Sequence, residues 1–386
     1  MGLGLLTRWC PPELVDEVVD KHGRSEQRRR LLTARMMTYF ELARCLYPRL
    51  GYEQALRRLI ALDAGQNDQW HVPNKSSLCR ARSRLGPDVL EELFHRISGP
   101  IAEEATCPAA FWRGLRLAAI DGTFFAIADT PANATSFPLK GANIAEGAGC
   151  PQVEVEVLIE VGTRAAIAAA IGDINDNEIS LARKLTTSIA PSTLVLADRN
   201  MMGVELWHAF TKAGADLLWR IRPRVARHPD RELDDGTYLA TVRVGSRLAK
   251  QHRQTDRSIP NHITVRVIEY RVDGNDELYR LATSLLDPET APAPELAALY
   301  QQCWEAETAY AELKTCQRGS GAVLRSSRPE GVRQEVWAHL IVHHLTRQLI
   351  QQAATRGPTT IDPDRISFPR AQEAARRHLQ QRLSPL

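Results

Sequence analysis

The sequence contains no run of 18 or more apolar residues, so none of it reads as a membrane-spanning helix. Its opening, MGLGLLTRWCPPE, lacks the long apolar region and small-residue cleavage site of a signal peptide. Both absences lead us to expect a cytoplasmic protein with no membrane partner. Cysteine is sparse: seven residues, at 10, 45, 79, 107, 150, 303 and 316, an odd number with no C-x-x-C pair. That excludes a disulfide framework and a Cys-based zinc site, and suits a reducing compartment. No internal repeat or low-complexity tract is present, which excludes a solenoid or a disordered linker protein. What remains is an ordinary globular composition, 44% hydrophobic and 25% charged, over 386 residues. That length suffices for two or three domains.

A net charge of +3 names no partner, but its distribution is uneven. Between Arg24 and Arg84 there are 13 Lys/Arg against 5 Asp/Glu, and after Lys314–Cys316 the tail holds 11 Arg against 5 acids. Two basic ends around a near-neutral middle suit a polyanion, although solvated Arg-rich helix faces give the same count.

Residues 1–110 read as an all-helical N-terminal domain that binds DNA. ELVDEVVDKHG, SEQRRRLLTARMMTYFELARCLYP and GYEQALRRLIALDAG each carry helical periodicity and stop at Gly or before Pro. VPNKSSLCRARSRLGPDVLEELFHRI outlines two helices around Gly86-Pro87, with Asn74 or Ser76 as N-cap. In a helix-turn-helix, Lys75, Arg80, Arg82 and Arg84 would face outward toward phosphates. Any polar helical hairpin has the same outline.

From Phe111 the texture changes. LRLAAIDGTFFAIAD places Asp121-Gly122 between two apolar runs, a hairpin signature. PQVEVEVLIEVGTRAAIAAAIGD supplies one or two further strands. A helix, the short buried-type strand STLVLAD ending on Asp198, another helix and the strand DLLWRIR follow. Residues 111–222 thus read as the first part of a mixed-sheet core, 223–290 as an antiparallel β insertion, 291–355 as the helical completion of the core, and 356–386 as a tail. LYQQCWEAETAYAELK, residues 299–314, has neither Pro nor Gly and reads as one helix. On it Tyr300, Cys303, Glu307 and Lys314 would share a side.

Asp121, Asp198 and Glu307 come from two strand ends and a helix, an order that matches a ribonuclease-H-like arrangement. Three converging carboxylates repel one another unless cations neutralise them, and hard oxygen donors suit Mg²⁺, with Mn²⁺ as a substitute. Two such ions activate a water and stabilise the leaving oxygen of a phosphodiester. Each acid alone also has a plain structural use, Asp-Gly as a turn and a strand-end Asp as a helix N-cap.

The chain resembles the DDE transposases of bacterial insertion sequences, in the insertion sequence 4 group. The resemblance rests on Asp121-Gly122-Thr123 with ADTPANATSF, on LVLADRNMMGVELW, on Tyr300-x2-Cys303-x3-Glu307-x6-Lys314, and on LRSSRPEGVRQEVWAHL and DPDRISFPRA. It covers nearly the whole chain. It implies that Asp121, Asp198 and Glu307 hold the catalytic divalent ions, and that Tyr300 and Lys314 hold phosphates of the element end. It also implies double-stranded DNA as partner, both inverted-repeat ends and target, a homodimer on DNA, and a place beside the nucleoid. The family motif has Arg where this chain has Cys303, and Cys cannot make the bidentate, permanently charged phosphate contact. A catalytically weakened DNA-binding remnant therefore stands as one alternative, and a domesticated ribonuclease-H-like nuclease as another.

Other candidates carry less. Arg199 either approaches phosphate or covers the sheet edge. His339 and His343 lack an HExxH acid and read as packing or DNA-facing residues rather than zinc ligands. Trp304 and Tyr310 read as core, and Tyr270 or Tyr279 as a possible stacking partner for a flipped base.

Overall fold

In the computed structural model, residues 5–28, 30–61, 73–137, 150–244, 258–271, 277–316, 323–356 and 361–381 are described. The chain divides into two compact units. One comprises Met1–Ile101, Phe124–Val153 and Ala309–Leu386; the other comprises Ala102–Thr123 and Glu154–Thr308.

The first unit is helical. It contains α1 (Leu5–Trp9), α2 (Pro12–Lys21), α3 (Ala34–Leu46), α4 (Tyr52–Ala61), α5 (Lys75–Leu85), α6 (Asp88–Ile97) and α7 (Pro131–Ser136). α3 begins only at Ala34, after the N-cap Thr33, so the helix expected from Ser25 starts a third of the way in. Asn74 does cap α5, accepting from the Ser77 N–H at 2.9 Å. The long helix at Pro329–Thr355 buries Trp337, His339, Leu340, Val342, His343 and Arg347 on different sides. Instead of the one apolar stripe expected of a surface amphipathic helix, it has the all-round burial of a central one, packed on α3 and α6. The charges this burial requires are paired. Arg44 bridges Glu41 and Glu335 at 2.7 and 2.6 Å, and Glu41 also holds Arg82.

The second unit is built on a mixed sheet. Its strands are β1 (Phe111–Trp112), β2 (Leu115–Ala126), β3 (Gln152–Glu160), β4 (Ala166–Ile171), β5 (Thr193–Ala197), β6 (Ala215–Arg220), β7 (Arg231–Glu232), β8 (Tyr238–Arg243), β9 (His262–Arg271) and β10 (Leu278–Thr283). The spatial order is β4-β3-β2-β5-β6-β10-β9-β8-β7, with β1 paired to β2. β2, β5 and β6 run parallel to their neighbours in that group, as buried strands joined by helical crossovers do. The crossovers are α8 (Glu178–Leu185) and α9 (Val204–Lys212). The insertion strands extend the same sheet, because β10 pairs antiparallel with β6, Ala282 opposite Trp219. Gly162, at φ 83°, makes the tight β3–β4 turn, where a Cβ would stand 2.9 Å from the Ala110 nitrogen.

Two local expectations need correcting. Asp121-Gly122 is not a hairpin turn: β2 runs unbroken through both residues. Gly122 is absent from the left-handed backbone region, so glycine is needed there for space rather than for turning. The helix expected over 299–314 is also broken. α10 (Ala293–Tyr300) ends in a 3₁₀ turn at Gln301–Cys303, then α11 (Trp304–Ala311) runs into a π-helical turn at Glu312–Cys316. Tyr300, Cys303, Glu307 and Lys314 therefore do not share a straight helical face. The π turn is anchored by Glu312, whose buried carboxylate accepts from Arg347 at 2.9 Å and faces His343 at 3.3 Å. Pro329–Thr355 is α12, and Phe368–Gln381 is α13.

Candidate active site

β2 and β5 are the strands that position the first two acids. They pair in parallel as far as Ile120 opposite Ala197. Asp121 and Asp198 are the next residue on each, so two half-buried carboxylates stand side by side at the carboxyl ends of adjacent strands. This is where a parallel sheet opens to ligands, because the crossover chains leave it there. The Asp121 Oδ1 accepts from the Gly122 N–H at 2.8 Å, and the Asp198 Oδ1 from the Asn200 N–H at 2.7 Å. Both bonds fix carboxylate orientation through the residues immediately following.

Tyr300, half-buried, directs its hydroxyl to the Ala197 carbonyl at 3.3 Å, which brings the end of α10 to the strand end that carries Asp198. Glu307 follows on α11 and is exposed. It does not complete a ligand set with the two aspartates as the side chains stand: among the described residues no three His, Cys, Asp or Glu side chains form one. Lys314 lies half-buried in the π turn. The side chains of Cys303 and Trp304 lie outside the described residues, while Tyr310 is buried, as a core residue should be.

Three further acids surround the aspartates. Glu156, on β3, is fully buried, and neither of its carboxylate oxygens has a hydrogen-bond partner. Burial first, then the charges of Glu178, Asp121, Glu154 and Asp198, hold its pKa well above the usual carboxylate range. Glu178, the first residue of α8, is pushed up to about 7 by burial, then by Asp198, Asp121 and Glu154, against a lowering by Arg222. Glu307 is not among the charges that act most on either group. Glu160, on the same strand as Glu156, makes the contrast. It accepts from Arg116, from the Ala102 N–H at 3.0 Å and from Thr163 Oγ at 2.6 Å, so its burial is fully compensated.

The sequence reading missed Glu154, Glu156 and Glu178. The signal was available in QVEVEVLIE, where acids alternate with apolar residues in a strand buried on both faces. A buried acid at that spacing needs either a partner or a ligand.

The basic residues separate into two kinds. Lys75, Arg80 and Arg84 on α5 are exposed, and so is Arg199 beyond β5. Arg82 is not. It is 6% exposed, with its guanidinium bonded to Glu41 at 2.7 and 3.0 Å and to the Tyr52 hydroxyl at 2.6 Å. The outward orientation expected for it is wrong, because its register on α5 matches the buried Leu78, Ala81 and Leu85 rather than Arg80 and Arg84. Tyr270 and Tyr279 stack on each other across β9 and β10 with centroids 5.4 Å apart, and Arg220 covers the Tyr279 ring. His343 is buried against Glu312, a packing role.

The donor set suits a hard divalent cation. Carboxylates are the only charged donors gathered here, and the Glu156 carboxylate is buried beside them with nothing to balance it. No described helix is long and apolar enough to cross a membrane.

Two family models match the chain, the insertion element 4 transposase N-terminal family over residues 1–95 and the transposase DDE domain over residues 112–345. The transposase InsG for insertion sequence element IS4 of Escherichia coli (strain K12) is 30% identical over 348 residues, spanning 89% of this chain and 76% of that protein. A cryo-EM structure of the piggyBac transposase synaptic complex with hairpin DNA shares the fold with a TM-score of 0.50 at 10% identity, over 99% of this chain and 81% of that one. With a mixed sheet that sets Asp121 beside Asp198, and with both family models matched along its length, the chain belongs to the DDE transposases of the insertion element 4 family, enzymes that act on DNA.

Proposed function

We propose that this transposase binds the inverted-repeat ends of its own element, cleaves them by divalent-cation-dependent phosphodiester hydrolysis, and joins the freed 3′-hydroxyl to target DNA. The observation that carries this reading is the pairing of Asp121 with Asp198 at the ends of β2 and β5. Asp121, Asp198 and Glu307 would hold Mg²⁺, with Mn²⁺ able to replace it. When bound, that cation supplies activation of a water and stabilisation of the leaving oxygen. Glu307, on the segment after Tyr300, approaches the aspartates by movement of α11 when DNA and cation are engaged.

The remaining residues bind and orient DNA. Lys314, Arg199 and the Tyr300 hydroxyl hold phosphates near the scissile bond. Lys75, Arg80 and Arg84, exposed on one helix, contact the backbone of the repeat and add a salt-dependent, sequence-independent share of affinity. Two copies bridge the two element ends.

The test is nicking of a duplex carrying the flanking repeat, with Mg²⁺ and with EDTA. Wild type nicks only with Mg²⁺, and Asp121→Asn, Asp198→Asn or Glu307→Gln each removes nicking while leaving repeat binding within about threefold. Wild-type cleavage by any of the three removes that residue from the site. Cleavage unaffected by EDTA overturns the metal-dependent reading.

A further inference from the structure

Glu156 is the one side chain around the two aspartates that is fully buried and has no partner for either oxygen. A carboxylate taken out of water without a hydrogen bond costs several kcal/mol, on the order of 2–7 even for a neutral polar group. The same strand shows how the fold handles such a group when its role is structural, since Glu160 receives a guanidinium, a backbone N–H and a hydroxyl. Glu156 receives none of these. Its position is nevertheless specified closely.

The bonds from the Val161 N–H to the Leu117 carbonyl and from the Ile127 N–H to the Pro151 carbonyl bracket β2 and β3, and they set Glu156 opposite Gly122. A Cβ at Gly122 would collide with the Glu156 carboxylate, so the missing side chain on β2 is the room that carboxylate occupies. Gly122 is the residue after Asp121, and the pairing of β2 with β5 stops one residue before Asp121. The Glu156 carboxylate is thus packed where that pairing ends, and the charges it senses most strongly are Glu178, Asp121, Glu154 and Asp198.

We propose that Glu156 is a further carboxylate of the divalent-cation centre, binding the cation together with Asp121 and Asp198 from the neighbouring strand. The inference rests on the metal-dependent reading above. Gly122 then has a second duty in the Asp121-Gly122 pair: it leaves space for a ligand delivered by β3. Side-chain rotation from the arrangement seen draws the carboxylates around the ion.

The experiment measures Mn²⁺ binding to the full chain without DNA, by the electron paramagnetic resonance of free Mn²⁺, together with thermal melting in the presence and absence of the ion. Wild type binds Mn²⁺ and melts at a higher temperature with it. Glu156→Gln keeps the shape and removes the charge. It is expected to bind Mn²⁺ about tenfold to a hundredfold more weakly, the loss seen when groups supporting a metal site are changed. In chelator it is expected to melt at or above the wild-type temperature, because an uncompensated buried acid has gone. Glu156→Leu serves as a second variant where Gln fails to fold, with the same weakening expected.

Wild-type Mn²⁺ affinity in the folded Gln or Leu variant overturns the proposal. So does a Glu156→Gln protein that melts far below wild type in chelator while binding Mn²⁺ normally, since that is the signature of a structural acid. Asp121→Asn separates the two readings. If it weakens Mn²⁺ binding and Glu156→Gln does not, only the assignment of Glu156 falls. If wild type itself binds no Mn²⁺, the metal-dependent reading falls with it.

Discussion

Arg82→Met is the perturbation that best distinguishes a basic residue that builds this protein from one that contacts DNA. Arg82 lies on the same helix as Lys75, Arg80 and Arg84, yet its guanidinium makes five bonds inside the first unit. Nε and Nη2 donate to Glu41 at 2.7 and 3.0 Å. Nη1 donates to the Tyr52 hydroxyl at 2.6 Å and to Ser326 Oγ at 3.2 Å, and Nη2 also reaches the Gly331 carbonyl at 3.4 Å. Methionine fills much of the volume but leaves Glu41, 1% exposed, with Arg44 as its remaining guanidinium partner. Removing one member of a buried ion pair costs about 3–5 kcal/mol. Against a total stability of roughly 5–15 kcal/mol, that is a large share. At roughly 2–4 °C per kcal/mol for a unit of this size, the melting temperature should fall by on the order of 10 °C.

Arg80→Ala, on the exposed side of α5, should change stability by no more than about 0.5 kcal/mol. It should instead weaken repeat binding and flatten its dependence on salt. The two variants are compared by thermal melting and by DNA titration at two salt concentrations. If Arg82→Met melts with wild type and loses DNA affinity as Arg80→Ala does, the buried network has been misjudged and Arg82 is a DNA contact.

Two further outcomes are expected. Burial alone would raise the Glu335 pKa, but Arg44 and Arg82 overcome it and hold the carboxyl at about 2, below its ordinary 4.5. Its stabilisation is therefore complete above about pH 4.5 and lost as pH falls toward 2, a change on the order of 3 kcal/mol; acid titration of the melting temperature should show this slope, and Glu335→Gln should flatten it. Cys303→Arg restores the guanidinium of the family motif, and a hydrogen bond to a charged phosphate is worth roughly 1.5–3 kcal/mol, so strand cleavage should rise about tenfold or more. An unchanged nicking rate would mean that the site works with Cys.

Much of the site was legible because its chemistry is carried by short local signals. STLVLAD announces a buried parallel strand ending on an acid, and Asn74 before a polar periodic run announces a helix start. Alternating runs between residues 223 and 290 announced strands, though not that they continue the main sheet through β10 and β6. Asp121-Gly122 was misread because glycine after aspartate favours a turn whenever the chain alone is considered. Only the partner strand reveals that a carboxylate occupies the place of the missing Cβ.

The sequence by itself determined the composition of the site and the order of its elements, since propensity, periodicity and capping act over a few residues. It also determined family membership, through motifs spread along nearly the whole chain. Tertiary structure alone decided which charges are available. Arg82 and Arg80 differ by two positions on one helix, yet one is locked inside and the other meets solvent. Glu156 and Glu160 share a strand, yet only one is compensated. The physical reason is that solvation and charge pairing depend on neighbours brought in from distant parts of the chain, and no local pattern contains them.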